Sequence, residues 1–276
     1  MRFHYISDLH LEFGYAPELP GGDVLLIAGD TIPVASLNFD KSAHDLGRYS
    51  INCERFSDLM EETRKYQQTF MILGNHEHYG NIFQESYNDF LKVLPDSVKL
   101  LENEVVELSP NLKLFGATLW TDYDSYDPKN LDTARLSMND HHLIRERVSD
   151  GVYRFNPESA YATNKLSRNN LAQIVRDNPD DKFIVMTHHT PSMLCGNEKW
   201  GGPQNRLNYA FHNTKLEDFI FWNKNVIHWV CGHTHDPFDG YIHQCAVHIN
   251  PRGYMSRSGK PENREFDVNR SFEVNI

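Results

Sequence analysis

Five short apolar runs in this chain each stop at a residue capable of acid–base or metal chemistry. Residues 2–7 (RFHYIS) lead into Asp8-Leu9-His10, and residues 23–28 (DVLLIA) into Gly29-Asp30. Residues 69–73 (TFMIL) lead into Gly74-Asn75-His76-Glu77. Residues 183–187 (FIVMT) end at His188-His189, and residues 226–231 (VIHWVC) at Gly232-His233-Thr234-His235. Each run is short and rich in β-branched or aromatic residues, which favours strand over helix. Segments with helical spacing lie between them: residues 53–66 (Phe56, Leu59, Met60), 82–94 (Ile82, Phe83, Tyr87, Phe90, Leu91, Leu94), 158–177 and 215–223. This alternation predicts an α/β protein whose sheets are covered by helices. Ligands of open α/β sheets sit at the carboxyl ends of strands. The chain is thereby restricted to folds that collect several strand ends at one edge.

Other segments break the rhythm. Residues 98–120 read as strand, turn and strand around Ser109-Pro110-Asn111. Residues 240–257 read as paired short strands interrupted by Asn250-Pro251-Arg252-Gly253. The polar, Asp/Tyr-rich stretch 121–157 reads as an insertion or lid, since long irregular segments in compact domains are often functional. The tail from Ser256 is poorly patterned until Ser271. With no internal repeat and no linker, residues 1–276 read as a single domain.

The composition narrows the chemistry. Lys and Arg number 27 against 38 Asp and Glu, a formal net charge of −11, yet there are 15 histidines. Such acidity argues against a broad basic face for nucleic acid, because phosphate neutralisation supplies most of that affinity. It leaves room for a locally positive pocket. No run of about 18 apolar residues suggests a membrane span, and the amino terminus lacks the pattern of a secretory signal. Cys53, Cys195, Cys231 and Cys245 form no CxxC pair and read as reduced thiols of a cytoplasmic protein.

Each strand-end motif alone has an ordinary explanation. Asp8 and His10 would share a face if the strand continued through them. Gly29-Asp30 is a common strand-to-turn junction. Asn75 could cap a helix, and His188-His189 could be a packed core pair. The paired imidazoles of His233 and His235 after a glycine suggest a metal clamp. Together the motifs hold two carboxylates, an amide and several imidazoles, too many donors for one four-coordinate ion. That number suits two ions sharing a carboxylate, an arrangement that serves in-line displacement at phosphorus.

In this order, the DxH, GD, GNHE, H and GHTH blocks resemble the calcineurin-like metallophosphoesterase superfamily, and the match spans Asp8 to His235. The resemblance implies a four-layer α/β sandwich, two mixed β-sheets flanked by helices, with two metal ions at one edge. It implies that Asp8, His10 and His235 hold the first metal, that Asn75, His188 and His233 hold the second, and that Asp30 bridges. His188 is the ligand in that pattern and His189 a neighbour. His76 would face the phosphate and assist the leaving oxygen, the nucleophile being a metal-bridging hydroxide. The ions would be Mn, Fe, Zn or Ni. The remaining histidines, among them His4, His44, His228, His243 and His248, read as packing or surface residues.

One departure bears on substrate. Protein phosphatases of the superfamily carry GDxxDRG, whereas here the stretch runs Gly29-Asp30-Thr31-Ile32-Pro33-Val34-Ala35. The second aspartate, which would orient the histidine, and the arginine, which would grip phosphate, are missing. The pattern is closer to the branch of bacterial and phage phosphoesterases and cyclic-nucleotide phosphodiesterases. The expectation is a phosphodiesterase acting on a small or nucleotide-like ester rather than on extended nucleic acid. A phosphomonoesterase or nuclease on the same site is the near alternative, and a non-catalytic metal-binding scaffold the distant one. Tyr123, Tyr126, Trp200, Tyr209 and Phe211 are candidates to stack a base, and Arg135, Arg145, Arg147, Arg154 and Arg206 to grip phosphate. His78, His141, His142 and His212 lie near motifs and are candidate substrate contacts.

Overall fold

All five apolar runs form strands in the computed structural model, which describes residues 1–37 and 46–275 and, for residues 46–49, the backbone alone. His44 lies outside the described residues. The first sheet contains β1 (Arg2–Ile6), β2 (Gly22–Ala28), β3 (Tyr66–Ile72) and β4 (Val98–Leu100). Two strands of the second sheet follow, β5 (Glu104–Ser109) and β6 (Leu112–Ala117), and then a separate hairpin of β7 (Arg145–Val148) and β8 (Gly151–Arg154). The second sheet is completed by β9 (Lys182–Thr187), β10 (Val226–Cys231), β11 (Phe238–Ile242) and β12 (Cys245–Ile249). The tail returns as β13 (Ser271–Glu273). The sheet orders are β13-β1-β2-β3-β4 and β11-β12-β10-β9-β6-β5. Both are mixed: β1 to β4 run parallel and β13 antiparallel, while β6, β9, β10 and β12 run parallel between antiparallel edges.

Strand alternation explains the layers. Val24, Leu26 and Ala28 of β2 meet Ile184, Met186 and Val230 between the sheets. Leu25 and Ile27 point the other way, onto Phe56, Leu59 and Phe90 from the helices Leu46–Thr63 and Phe83–Leu91. On the far side, Phe183, Val185, Trp229 and Cys231 pack on Leu171, Val175, Leu216 and Ile220 from the helices Pro157–Asp177 and Leu216–Trp222. The result is helix, sheet, sheet, helix.

Two expectations change. β11 and β12 pair around His243-Gln244, so Asn250–Gly253 follows the hairpin instead of interrupting it. Residues 121–157 carry real secondary structure, a helix at Pro128–Ser137 and the β7–β8 hairpin. Tyr123, Leu131, Met138, Ile144 and Phe155 from this stretch share a core with Trp120, Ala160 and Ala210 from outside it. The turn before that helix places Tyr123, Asp124, Ser125 and Tyr126 all at φ between 45° and 71°. Left-handed backbone costs non-glycine residues about 1–2 kcal/mol each. Backbone bonds from Tyr126 to the Asp122 carbonyl (2.8 Å) and from Asp127 to the Tyr123 carbonyl (3.0 Å) offset part of that cost.

Candidate metal centre

The strands stop short of the chemistry. β1 ends at Ile6, and Asp8 (φ 53°) and His10 (φ 43°) lie beyond it in left-handed conformations. A continuing strand face therefore does not bring them together; a tight turn does. Asp30 (φ 55°), His233 (φ 71°) and His235 (φ 55°) are left-handed as well. Strain of this kind persists only where surrounding contacts over-determine it. Those contacts are visible: Asp8 N–H donates to the Gly29 carbonyl and His10 N–H to the Asp30 carbonyl, each at 3.0 Å. Gly74 is required by close approach, since a Cβ there would lie 2.6 Å from the Asp30 nitrogen.

The structure brings the seven residues into two adjoining groups. In the first, Asp8, His10 and His235 offer ligand atoms within 4.8 Å of one another. His10 Nε2 and His235 Nε2 are 3.0 Å apart, and His235 Nε2 is 3.6 Å from Asp8 Oδ1. The far nitrogen of each ring faces a carboxylate: His235 Nδ1 meets Glu262 at 2.7 Å and His10 Nδ1 meets Glu12 at 3.5 Å. Carboxylates behind imidazoles orient the rings of metal ligands and raise their basicity.

In the second group, Asp30, His188 and His233 converge within the same limit, and Asn75 joins them. His188 Nδ1 donates to the Ala28 carbonyl at 2.8 Å, which turns Nε2 inward, 2.9 Å from Asn75 Oδ1 and 3.3 Å from Asp30 Oδ1. Asn75 spends its amide hydrogens on Tyr79 (3.0 Å) and Asp140 (2.7 Å), so its oxygen also faces inward. A neutral His188 would thus aim a lone pair at two other acceptors. The site demands a cation: burial would lower the His188 pKa, yet Asp30 beside it holds the imidazole up at about 10. Nε2 of His233 is buried without a hydrogen-bond partner among the described residues, and burial keeps that ring neutral. Inward-facing imidazole, carboxylate and amide donors fit transition-metal ions without selecting one.

Sequence reasoning missed the residues that hold this set in place. Glu12 sits between His10 and His76, with Oε1 3.1 Å from His76 Nδ1. Burial would raise the Glu12 pKa, but hydrogen bonds to those two imidazoles bring it down to about 2. His76 is also buried, which would lower its pKa; Asp30 and Glu12 raise it to about 9. Its Nε2 lies 3.2 Å from the Tyr254 hydroxyl. Buried Glu77 accepts from the backbone N–H groups of Asp30 (3.0 Å), Thr31 (2.5 Å) and Gly74 (2.7 Å), joining two of the loops. The only local signals were a DxHxE spacing for Glu12, the E of GNHE for Glu77, and for Asp140 the run Met138-Asn139-Asp140, which resembles the bacterial group without specifying a role; nothing in the sequence pointed to Tyr254 or Glu262.

Of the other candidates, His189 packs between Trp120 and His233. Tyr123 is buried in the 121–157 core, Tyr126 packs on Tyr161, and Phe211 stacks on His233. Tyr209 is half-buried, and Trp200 stands exposed near His235. Arg135 pairs with Glu158, Arg147 with Glu85 and Arg206 with Asn130, while Arg145 and Arg154 face each other across the β7–β8 hairpin. His78 is buried against Phe83, and burial drops its pKa to about 3. His141 is held by the Phe155 carbonyl and His212 by the Thr190 hydroxyl, whereas His142 is exposed.

Two mixed sheets carrying two adjoining imidazole–carboxylate groups at their strand ends define a metal-binding α/β protein. The model of the calcineurin-like phosphoesterase family matches residues 1–237. The chain belongs to that family, whose members are dinuclear metal-dependent hydrolases of phosphate esters. A crystal structure of a phosphopantetheinyl hydrolase from Mycobacterium tuberculosis aligns with a TM-score of 0.60 at 15% identity, over 91% of this chain and 89% of that one. A dimetal phosphatase from Danio rerio aligns with a TM-score of 0.48 at 13% identity, over 90% and 86%. No curated protein matches the chain. Among the described residues, no helix is long and apolar enough to cross a membrane.

Proposed function

We propose that the protein hydrolyses a phosphodiester, small or nucleotide-like, at a dinuclear centre bridged by Asp30. One observation carries the dinuclear reading: the two Asp30 oxygens face different groups, Oδ1 toward His188 (3.3 Å) and Oδ2 toward His10 (3.8 Å). Asp8, His10 and His235 then hold one ion, and Asn75, His188 and His233 the other. Manganese is a suitable first ion for reconstitution, with iron, zinc and nickel as rivals. When bound, two such ions supply Lewis-acid charge at the phosphoryl oxygens and acidify the attacking water.

The protein's own residues complete the reaction. Glu12 accepts at His76 Nδ1 and orients the ring, leaving Nε2 to carry the proton toward a leaving oxygen. This carboxylate takes the orienting role that the missing GDxxDRG aspartate left open. Arg252, the buried arginine behind the site, does not replace the missing one, because it is tied to the Leu9 and Tyr15 carbonyls. A diester carries one negative charge and a monoester up to two, so this modest complement of protein cations favours the diester. Residues 121–157 belong with the rest in a single domain, as a wall beside the site that contributes Asp140. Free, largely buried cysteines suit a reducing, cytoplasmic setting.

Protein reconstituted with manganese should cleave bis-p-nitrophenyl phosphate faster than p-nitrophenyl phosphate. The reverse preference would make it a monoesterase. No turnover of either ester with Mn, Fe, Zn or Ni would leave the scaffold reading. Asp30→Asn should reduce the metal content of the protein by elemental analysis from about two ions per chain; unchanged content would refute the bridge.

A further inference from the structure

We propose that the cavity beside His235 is a subsite for the nucleoside part of the substrate, with the Trp200 indole as its stacking platform. The proposal rests on the reading of the neighbouring centre as the phosphate-binding site. The cavity holds about 400 Å³ and is lined by Lys199, Trp200, His235, Asp236, Glu262 and Arg264, among others. That volume lies within the range of small-molecule pockets. Trp200 leaves 52% of its surface open.

The ring is nevertheless fixed. Its Nε1 donates to Asp236 Oδ2 at 2.6 Å, and Lys199 Nζ donates to Asp236 Oδ1 at 2.5 Å while lying 4.9 Å from the indole centroid. Asp236 is itself buried and directly follows His235. The backbone is held too, because Asn205 and Asn208 donate to the Trp200 carbonyl at 3.1 and 3.3 Å. The half-exposed indole, with Lys199 over one face, is thus anchored to the residue that directly follows a proposed metal ligand. Its orientation is prepaid by hydrogen bonds, which lowers the ordering cost of binding.

Charge selects the ligand class. Asp236, Glu262 and Glu265 oppose Lys199 and Arg264 along the lining, and Lys199 is already paired with Asp236. This subsite offers little to a second phosphate group, and its polar walls offer little to an alkyl chain. A flat, uncharged heteroaromatic ring satisfies both limits, with its phosphate at the metal centre.

The test is equilibrium binding of AMP and of ribose 5-phosphate to manganese-loaded protein. Base-on-aromatic stacking is strong enough that AMP should bind about tenfold or more tightly than ribose 5-phosphate. Trp200→Ala should abolish that preference and leave ribose 5-phosphate affinity within about twofold; Trp200→Phe should retain most of it. AMP should quench tryptophan fluorescence in the wild type and much less in Trp200→Phe. Equal affinities in the wild type, no binding of either compound, or a preference that survives Trp200→Ala would overturn the proposal. Failure of diester turnover would strike the reaction class instead, since the binding comparison needs no catalysis.

Discussion

Replacing Glu77 by Gln should loosen the metal centre without touching a ligand. Oε2 of Glu77 accepts from Asp30 N (3.0 Å) and Gly74 N (2.7 Å), while Oε1 accepts from Thr31 N (2.5 Å) and Ile32 N (3.4 Å). All of these donors are buried. A glutamine has one carbonyl oxygen, so its NH2 must face one pair. The less costly choice turns the carbonyl to Asp30 and Gly74, strands the Thr31 donor and breaks the weaker Ile32 hydrogen bond. Burial and the neighbouring Asp30 push the Glu77 carboxyl up to about 7, so the comparison belongs at about pH 8, where it is ionised: there an unsatisfied buried N–H costs about 1–3 kcal/mol, and the surviving bonds fall from charge-assisted to neutral strength. The sum is about 2–4 kcal/mol, a large share of ordinary domain stability. In urea unfolding of metal-free protein, with m about 3 kcal/mol/M, the midpoint should drop by roughly 1 M. Metal affinity should weaken too, since Asp30 and Asn75 flank the loosened loops. A Glu77→Gln protein that unfolds within about 0.5 kcal/mol of wild type would refute the latch, because so small a change is ordinary for an uninvolved surface site.

Further substitutions separate holding from chemistry. His76→Ala should lower turnover by about 100-fold or more while sparing metal content, as befits an acid–base group; equal activity would sink that role. Glu12→Gln should cost about 10- to 100-fold in activity or metal affinity, measured by kinetics and metal titration, because it orients both His10 and His76. Gly74→Ala should deplete bound metal in elemental analysis, since the added methyl would meet the Asp30 nitrogen at 2.6 Å. A fully loaded Gly74→Ala protein would show that the loop can shift without harm.

The amino-acid sequence determined the layers and named the candidate chemistry-bearing residues. Strand burial is a local property: a short continuous apolar run such as that of 23–28 announces a strand covered on both faces. The residue types at the strand ends, read in order, carried the family pattern. Long helical spacing located 158–177 and 215–223 to within a residue at each boundary. Local spacing could not show how the ends are held. Glu262 reaches His235 across 27 residues, and Asp140 reaches Asn75 across 65. Such pairings depend on which loops the packed sheets bring together. The left-handed turns at Asp8, His10, Asp30, His233 and His235 are illegible in the sequence for the same reason, because tertiary contacts override the usual avoidance of that conformation by non-glycine residues. Residues 121–157 read as irregular because their elements are short and their apolar residues sparse, and only Trp120 and Phe155 arriving from either end assemble a core. The sequence named the candidate donors; the tertiary structure decided their directions, because a side chain points where its backbone and its distant neighbours hold it.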